Sequence, residues 1–569
     1  MFDFGKANER QRIAIESVDG PVLITAGPGT GKTYTLVQRA IFLIQERGVN
    51  PDQILMATFT EKAAKELVTR ITNELAERGI VANINEMYIG TFHSLCLRII
   101  KEHLEYTRLK KNYRTIDQFD QTYTVFQNIH KFRNIHGIDA VLSKGGAWRQ
   151  AGEICSYVNN LTEELIAPDV LKADPDPAIA ALGGMLEVYQ ELLSENNLMD
   201  FSAIQTEAYW LLVNNPSILA EIQQKIQYIM IDEYQDTNYI QEQIVFLLGG
   251  GHKNICVVGD DDQGLYRFRG ATIRNILEFP SKFAEGECRV VPLVMNYRSN
   301  SDIVDFYNNW MATTDGARFR FRWKNFRYDK TINPHTKSTL NSPAVVKLAS
   351  CEDLDEWCEK ILLFIRRMME SGKLTDYNQI AFLFNSVKHP RVTRLARYLE
   401  DNGVNVYSPR SDMFFERDEI RLLIGCLMLM FPKYVIGLEN EEYQFLQPKH
   451  YRYYRGCVIT ANAYLEKPES ADLRNWIRRR GKIHAGLKDT TDYAYSGLIY
   501  QMFQFEPFSD ILSTDMRVSV VDIRPARNIA LFTQVVNKFE YLHHIDVLSA
   551  KWIDSTTERF FNLFLRLLF

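Results

Sequence analysis

Paired cysteines are missing from this 569-residue chain. Cys96, Cys155, Cys256, Cys288, Cys351, Cys358, Cys426 and Cys457 lie far apart, and none forms a Cys-x-x-Cys pair. That spacing speaks against a structural zinc or iron–sulfur site, and scattered thiols suit a reducing cytosol. An excess of basic charge is missing too: Lys and Arg number 66 against 71 Asp and Glu, for a net charge of −5. The chain is no general polycation, so any nucleic-acid contact must come from a local basic cleft. No apolar run approaches the length of a membrane span, and Met1-Phe2-Asp3-Phe4-Gly5-Lys6 has no signal-peptide pattern. A cytoplasmic protein is therefore expected. What is present is an ordinary globular mix, 46% hydrophobic and 24% charged. The length is too great for one core and implies about two to four domains.

The most informative stretch is Ala26-Gly27-Pro28-Gly29-Thr30-Gly31-Lys32-Thr33. An apolar run, Pro21–Ile24, precedes it, and helical spacing of apolar residues follows from Tyr34. Strand, glycine-rich turn and helix form the context of a phosphate site. Glycines let backbone N–H groups face an anion, and the helix N-terminus adds partial positive charge. Lys32 would reach the outer phosphates of ATP, and the Thr33 hydroxyl would ligate Mg²⁺. Ala26 stands where the strict pattern has Gly.

A second chemical site follows the buried-type strand Ile226–Ile231, which ends in Asp232-Glu233-Tyr234-Gln235-Asp236-Thr237. Adjacent carboxylates at a strand's C-terminal edge suit a nucleotide hydrolase, with Asp232 holding Mg²⁺ and Glu233 deprotonating the attacking water. A further strand from Ile255 ends in Asp260-Asp261-Asp262-Gln263, where Gln263 could sense the γ-phosphate. Tyr266, Phe268 and Arg269 follow and would meet single-stranded bases by stacking and charge. The alternative there is an acidic turn with an amphipathic edge.

Weaker signals surround these sites. Gln11, upstream of the phosphate loop, could read adenine through its amide, or could simply lie on a solvated helix. The loops after the strands near residues 54 and 88 present Phe59, Thr60, Thr91 and His93. Hydroxyls and helix N-termini there suit a nucleic-acid backbone and an exposed Phe suits stacking, but core phenylalanines fit equally well. Tyr297 could stack on adenine and Arg298 could touch the γ-phosphate, against a plain capped turn. In Arg318–Tyr328 basic and aromatic residues alternate, as in a nucleic-acid-contacting ribbon or, with more weight, a half-buried strand.

Taken in order, these segments resemble the UvrD/Rep/PcrA family of superfamily 1 DNA helicases. Asn8–Gln11 is similar to its adenine-reading Q motif and Ala26–Thr33 to its Walker A, where Ala in the first position is usual. Thr58–Ala64 and Gly90–Ser94 are similar to its strand-contacting motifs, Asp232–Asn238 to Walker B, and Gly259–Ala271 to the coupling motif. Asn296–Ser299 resembles motif IV, and Phe414–Ile420 a segment of the second motor. The resemblance implies an α/β fold of two RecA-like motor domains with parallel sheets, each carrying a mostly helical insertion. Residues 1–100 with 198–340 would form the first motor and 101–197 its insertion. Residues 341–430 would begin the second motor, 431–550 would be its insertion, and 551–569 an apolar C-terminal helix. ATP and Mg²⁺ would be the cofactors, single-stranded or tailed DNA the substrate, and the direction 3′ to 5′.

Three departures modify that expectation. Phe268 replaces a usual Trp and Arg267 a small residue. Glu61 replaces a usual Asn. Motifs V and VI are not found between 430 and 569, so a protein partner or further chain is expected to complete the second motor, and turnover by this chain alone is expected to be weak. DNA repair and defence against phage are among the expected roles. The alternative is a nucleotide-gated DNA-binding subunit of a larger complex.

Overall fold

The computed structural model describes residues 2–266, 270–312, 327–328, 330–336, 343–347, 353–387, 389–407, 414–444, 446–513 and 523–568. Phe268, Arg269 and the run 318–326 lie outside the described residues. The chain divides into two compact units, residues 1–347 and 348–569.

The first unit is built on short runs of apolar residues. Strands β1 (Val22–Ala26), β2 (Ile54–Thr58), β3 (Tyr88–Thr91), β4 (Tyr228–Ile231), β5 (Ile255–Gly259) and β6 (Arg289–Leu293) form one parallel sheet in the order β3-β2-β4-β5-β1-β6. Runs without polar alternation are what a parallel sheet covered on both faces requires. Period-two geometry sorts their side chains. Val22, Ile24, Met56, Met230, Cys256 and Val258 enter one core, while Leu23, Leu55, Ile229, Ile231 and Val257 enter the other. Helices α1 (Glu9–Glu16), α2 (Lys32–Gln45) and α3 (Glu61–Glu77) cover the first face through Ile15, Leu36, Ile41, Leu67 and Ile71. Helices α4 (Phe92–Glu102), α8 (Phe201–Asn214) and α9 (Tyr239–Gly249) cover the second through Ile99, Ile204, Leu211 and Ile244.

Between α4 and α8 the chain is mostly helical, with α5 (Gln118–Gln127), α6 (Ala147–Glu163) and α7 (Pro177–Glu195) around a core of Phe132, Ile154, Val158, Met185 and Leu186. A two-residue parallel ladder, Arg114–Thr115 with Leu198–Met199, closes this insertion. Next to the ladder, Asp200 is buried. It accepts hydrogen bonds from the Tyr189 hydroxyl, from Gln121 Nε2 at 2.9 Å and from Ala203 N at 2.7 Å, the last capping α8.

The second unit is helical among the described residues, apart from a single bridge between Thr490 and Ser549. Two strongly amphipathic helices, α10 (Leu354–Glu370) and α11 (Pro390–Asp401), pack through Cys358, Leu362, Ile365, Leu395 and Leu399. A second group centres on α12 (Asp418–Leu429), flanked by α13 (Pro448–Leu465) and α15 (Arg524–Leu542), with α14 (Tyr495–Met502) against α15. The closing helical segment, Ile553–Leu568, is buried against this chain's own helices. Phe560 meets Tyr495 and Phe539, Phe561 meets Tyr434, and the Tyr454 hydroxyl donates to Phe561 O at 2.6 Å. Among the described residues no helix is long and apolar enough to cross a membrane.

Candidate functional site

Parallel topology delivers all six strand ends to one edge, the edge where α/β sheets bind ligands. The phosphate loop leaves β1 there. Gly29 and Gly31 have φ of 70° and 88°, a region costly for any residue with a Cβ. A Cβ on Gly31 would also lie 2.7 Å from Gln11 Nε2, and one on Gly29 2.7 Å from Asn296 Nδ2. The loop's carbonyls are tied down from outside. Gln11 Nε2 donates to Thr30 O at 3.1 Å, Asn296 Nδ2 to Pro28 O at 2.7 Å, and Tyr297 N to Gly29 O at 2.9 Å. The first turn of α2 has no side-chain cap, so its N–H groups and its dipole are available to an anion.

The acidic loop leaves β4 two strands away. Asp232 N donates to Ala57 O at 2.9 Å, which holds the loop against β2. Burial, and then the neighbouring Glu233, push the Asp232 carboxyl up to about 6. Glu233 has a left-handed φ of 53°, a strained conformation for a residue with a side chain. Its carboxylate pairs with Lys32 Nζ at 2.9 Å and accepts from Gln235 Nε2 at 2.8 Å. The phosphate lysine and the acidic pair are thus one cluster, although 201 positions separate Lys32 from Glu233.

Asp232 is buried and, among the described residues, has no cation at ion-pair distance; only Glu233 N, at 3.0 Å, donates to it. A divalent cation would relieve that buried carboxylate, which the Lys32 charge and the Glu233 N–H offset only in part. Together with the Thr33 hydroxyl, Asp232 offers the hard oxygen donors that Mg²⁺ takes.

Tyr297 is 44% exposed, lies 4.8 Å from the His335 ring and accepts a hydrogen bond from Asn8 Nδ2 at 2.8 Å. Arg298 is exposed, its Cβ 2.9 Å from where a Cβ on Gly29 would be, so it stands over the phosphate loop. Gln11 is buried, and both ends of its amide serve the chain: Nε2 goes to Thr30 O, and Oε1 accepts from Asn8 N at 2.9 Å. Gln263 Nε2 donates to Asp260 Oδ2 at 2.6 Å.

The strand-contacting candidates gather on the same edge. The rings of Phe59 and Tyr266 lie 4.9 Å apart. Thr60 and Thr91 are both helix N-caps, accepting from Ala63 N and Ser94 N, so each hydroxyl has a structural task. Beside them a cavity of about 590 Å³ opens between the sheet edge and the insertion, lined by Phe59, Thr60, Thr91, His93, Phe201 and Asp236, with others. Among the described residues, three buried polar atoms on its wall have no hydrogen-bond partner: Thr58 Oγ1, Gln205 Oε1 and Asp236 Oδ1. Such orphans are costly without a ligand or water to meet them. Burial lowers the His93 pKa, which favours the neutral ring, and Gln205 Nε2 lies 3.1 Å from its Nε2.

Sequence reading missed three participants. Phe201 is 52% exposed and meets the His93 ring edge-on at 5.4 Å, but in sequence it reads only as a helix start. Gln235 links Glu233 to the backbone of Asp260 and lay unassigned inside the acidic motif. Lys330 is buried among Asp260, Asp261 and Asp262, and no local pattern marks it.

The profile of the UvrD/REP helicase N-terminal domain matches residues 7–284, and that of the UvrD-like helicase C-terminal domain matches residues 291–435. The "ATP-dependent DNA helicase PcrA" of Staphylococcus epidermidis is 32% identical over 430 residues, which are 74% of this chain and 53% of that protein. The protein of the same name from Staphylococcus aureus is 31% identical over 428 residues, with the same shares. The chain spans about half the length of these curated relatives.

Proposed function

This chain belongs to the UvrD/REP helicase family, and on that premise we propose that it is an ATP-driven DNA translocase or helicase acting on single-stranded or tailed DNA. The observation that carries this reading is the joining of Lys32, Glu233, Gln235 and Asp260 into one cluster on the sheet edge that also bears Phe59 and Tyr266. ATP would lie on the phosphate loop. The first-turn N–H groups of α2 and Lys32 would hold its outer phosphates. Thr33 and Asp232 would hold Mg²⁺, which neutralises phosphate charge when bound. Glu233 would take the proton from the attacking water, and Arg298 would offset charge developing on the γ-phosphate. Tyr297 would stack on adenine, with Gln11 bracing the loop beneath. Gln263 would relay occupancy to Tyr266 and the adjoining Phe268 and Arg269, and Phe59, Thr60, Thr91 and His93 would complete the strand path. Movement is 3′ to 5′ in this reading, in a reducing cytoplasm, serving DNA repair or defence against phage.

A second reading, a nucleotide-gated DNA-binding subunit, has one observation in its favour. In the second unit Phe382, Leu383 and Phe384 are 40%, 93% and 39% exposed, a run of apolar surface suited to a protein partner. Glu233→Gln decides between the readings. For a motor, DNA-stimulated hydrolysis falls about 100-fold or more with nucleotide binding retained. For a binding subunit, ATP shifts DNA affinity measured by fluorescence anisotropy, and turnover is negligible before and after the substitution.

A further inference from the structure

The described residues between Arg327 and His335 follow the recognised motifs of the first unit and belong to none of them. They nevertheless touch three parts of the nucleotide site. At one end Tyr328 N donates to Asp261 Oδ2 at 2.7 Å, and Arg327 pairs with Asp262 at 2.8 Å. In the middle Ile332 fills the space beside the phosphate loop; a Cβ on Gly27 would lie 2.2 Å from Ile332 Cδ1. At the other end Asn333 and Pro334 pair with Met295 and Asn296, and His335 lies against Tyr297.

Lys330 anchors this strap. Its side chain is 1% exposed, and Nζ pairs with Asp260 at 2.7 Å, with Asp261, and with Asp262 at 3.5 Å. From there a hydrogen-bonded chain runs to the proposed base. Asp260 N donates to Gln235 Oε1 at 2.9 Å, Gln235 Nε2 donates to Glu233 Oε2 at 2.8 Å, and that oxygen meets Lys32 Nζ at 2.9 Å. The other Asp260 oxygen holds Gln263 at 2.6 Å. One ammonium thus fixes the residue that orients both the Gln235 amide and Gln263. Without it, among the described residues, the one remaining cation paired with these three buried or half-buried carboxylates is Arg327, through Asp262, and the Asp260 loop would have to open toward water.

We propose that Lys330 is a positioning residue for ATP hydrolysis, acting through Asp260 and Gln235 on Glu233. This rests on the hydrolytic reading above for its consequence, but its geometry can be tested without turnover. In Lys330→Met, hydrogen–deuterium exchange by mass spectrometry is expected to be about 10-fold faster or more in peptides covering both 259–265 and 232–237. Peptides of the insertion core around Met185 are expected to keep wild-type exchange. In DNA-stimulated hydrolysis, kcat is expected to fall about 10- to 100-fold with KM for ATP within about 3-fold. If Lys330→Met does not fold, Lys330→Met with Asp261→Asn removes one opposing charge and is expected to give the same pattern in a folded chain. Unchanged exchange at 232–237 in a folded variant overturns the proposal, as does an unchanged kcat. If wild-type turnover does not exceed that of Lys32→Ala, the hydrolytic reading falls and the hydrolytic role of Lys330 with it, and the exchange comparison then decides only whether Lys330 holds Asp260, Gln235 and Glu233 in place.

Discussion

Asp232 is held where folding and chemistry oppose each other. Its carboxyl is raised to about 6, first by burial and then by Glu233, from an ordinary value of 3.8. Between those values the folded chain keeps a proton that the unfolded chain releases, so stability falls as pH rises through that window. Above about 6 the full penalty applies, about 3 kcal/mol for a shift of about two units. Asp232→Asn removes the buried charge. It is expected to raise the melting temperature at pH 7.5 by about 2–4 °C while abolishing Mg²⁺-dependent ATP turnover. A lower melting temperature would contradict the burial argument. The same scale explains what could be read in advance. Lys32, Asp232 and Glu233 stand in contiguous motifs, each next to an apolar strand, so their place at one sheet edge was legible without coordinates. Lys330 was not, because its partner Asp260 is 70 positions away and nothing local distinguishes a buried lysine from a solvated one. Gln11 was legible as a residue near the phosphate loop, but its place beneath the loop depends on a capping box whose geometry only the fold reveals.

Elements were read more fully than their pairing. Five of the six strands of the first sheet are marked in the sequence as strands, and the insertion as a helical stretch, because period and length are local properties. Strand order is set by partners more than a hundred residues apart, as where β2 lies beside β4, and no local signal encodes it. Two expectations belong to this scale. Gly31→Ala puts a Cβ at φ 88° against Gln11 and displaces the start of α2. Nucleotide binding measured by a fluorescent ATP analogue is expected to be lost, at a folding cost of about 1–3 kcal/mol. Retained affinity would contradict the proposed loop geometry. In the insertion, Tyr189→Phe removes a donor from buried Asp200, the cap of α8. Urea unfolding is expected to show a loss of about 1–3 kcal/mol, and an unchanged midpoint would show that the hydroxyl is dispensable.

Over the whole molecule the two units pose different questions. The first gathers the glycine-rich loop, the acidic pair and the Phe59–Tyr266 ring pair on one sheet edge. The second is helical among the described residues, and β-prone Ile380-Ala381-Phe382-Leu383-Phe384 carries no ladder there. Sequence propensity marks such a run as strand, but a strand exists only with a neighbour to bond it. The apolar closing segment packs within the second unit, where Phe560, Phe561 and Phe564 are buried. Phe560→Ala is expected to destabilise that unit by about 3–5 kcal/mol, seen as faster proteolysis between residues 446 and 568. Wild-type resistance would mean that the packing there contributes little.

The most direct test of the central claim, a nucleotide-driven motor site on the first sheet edge, is ATP hydrolysis by the 569-residue chain with and without single-stranded DNA, beside Lys32→Ala. DNA-stimulated turnover that disappears in Lys32→Ala is the expected result. Turnover equal to that of Lys32→Ala, with and without DNA, would contradict it.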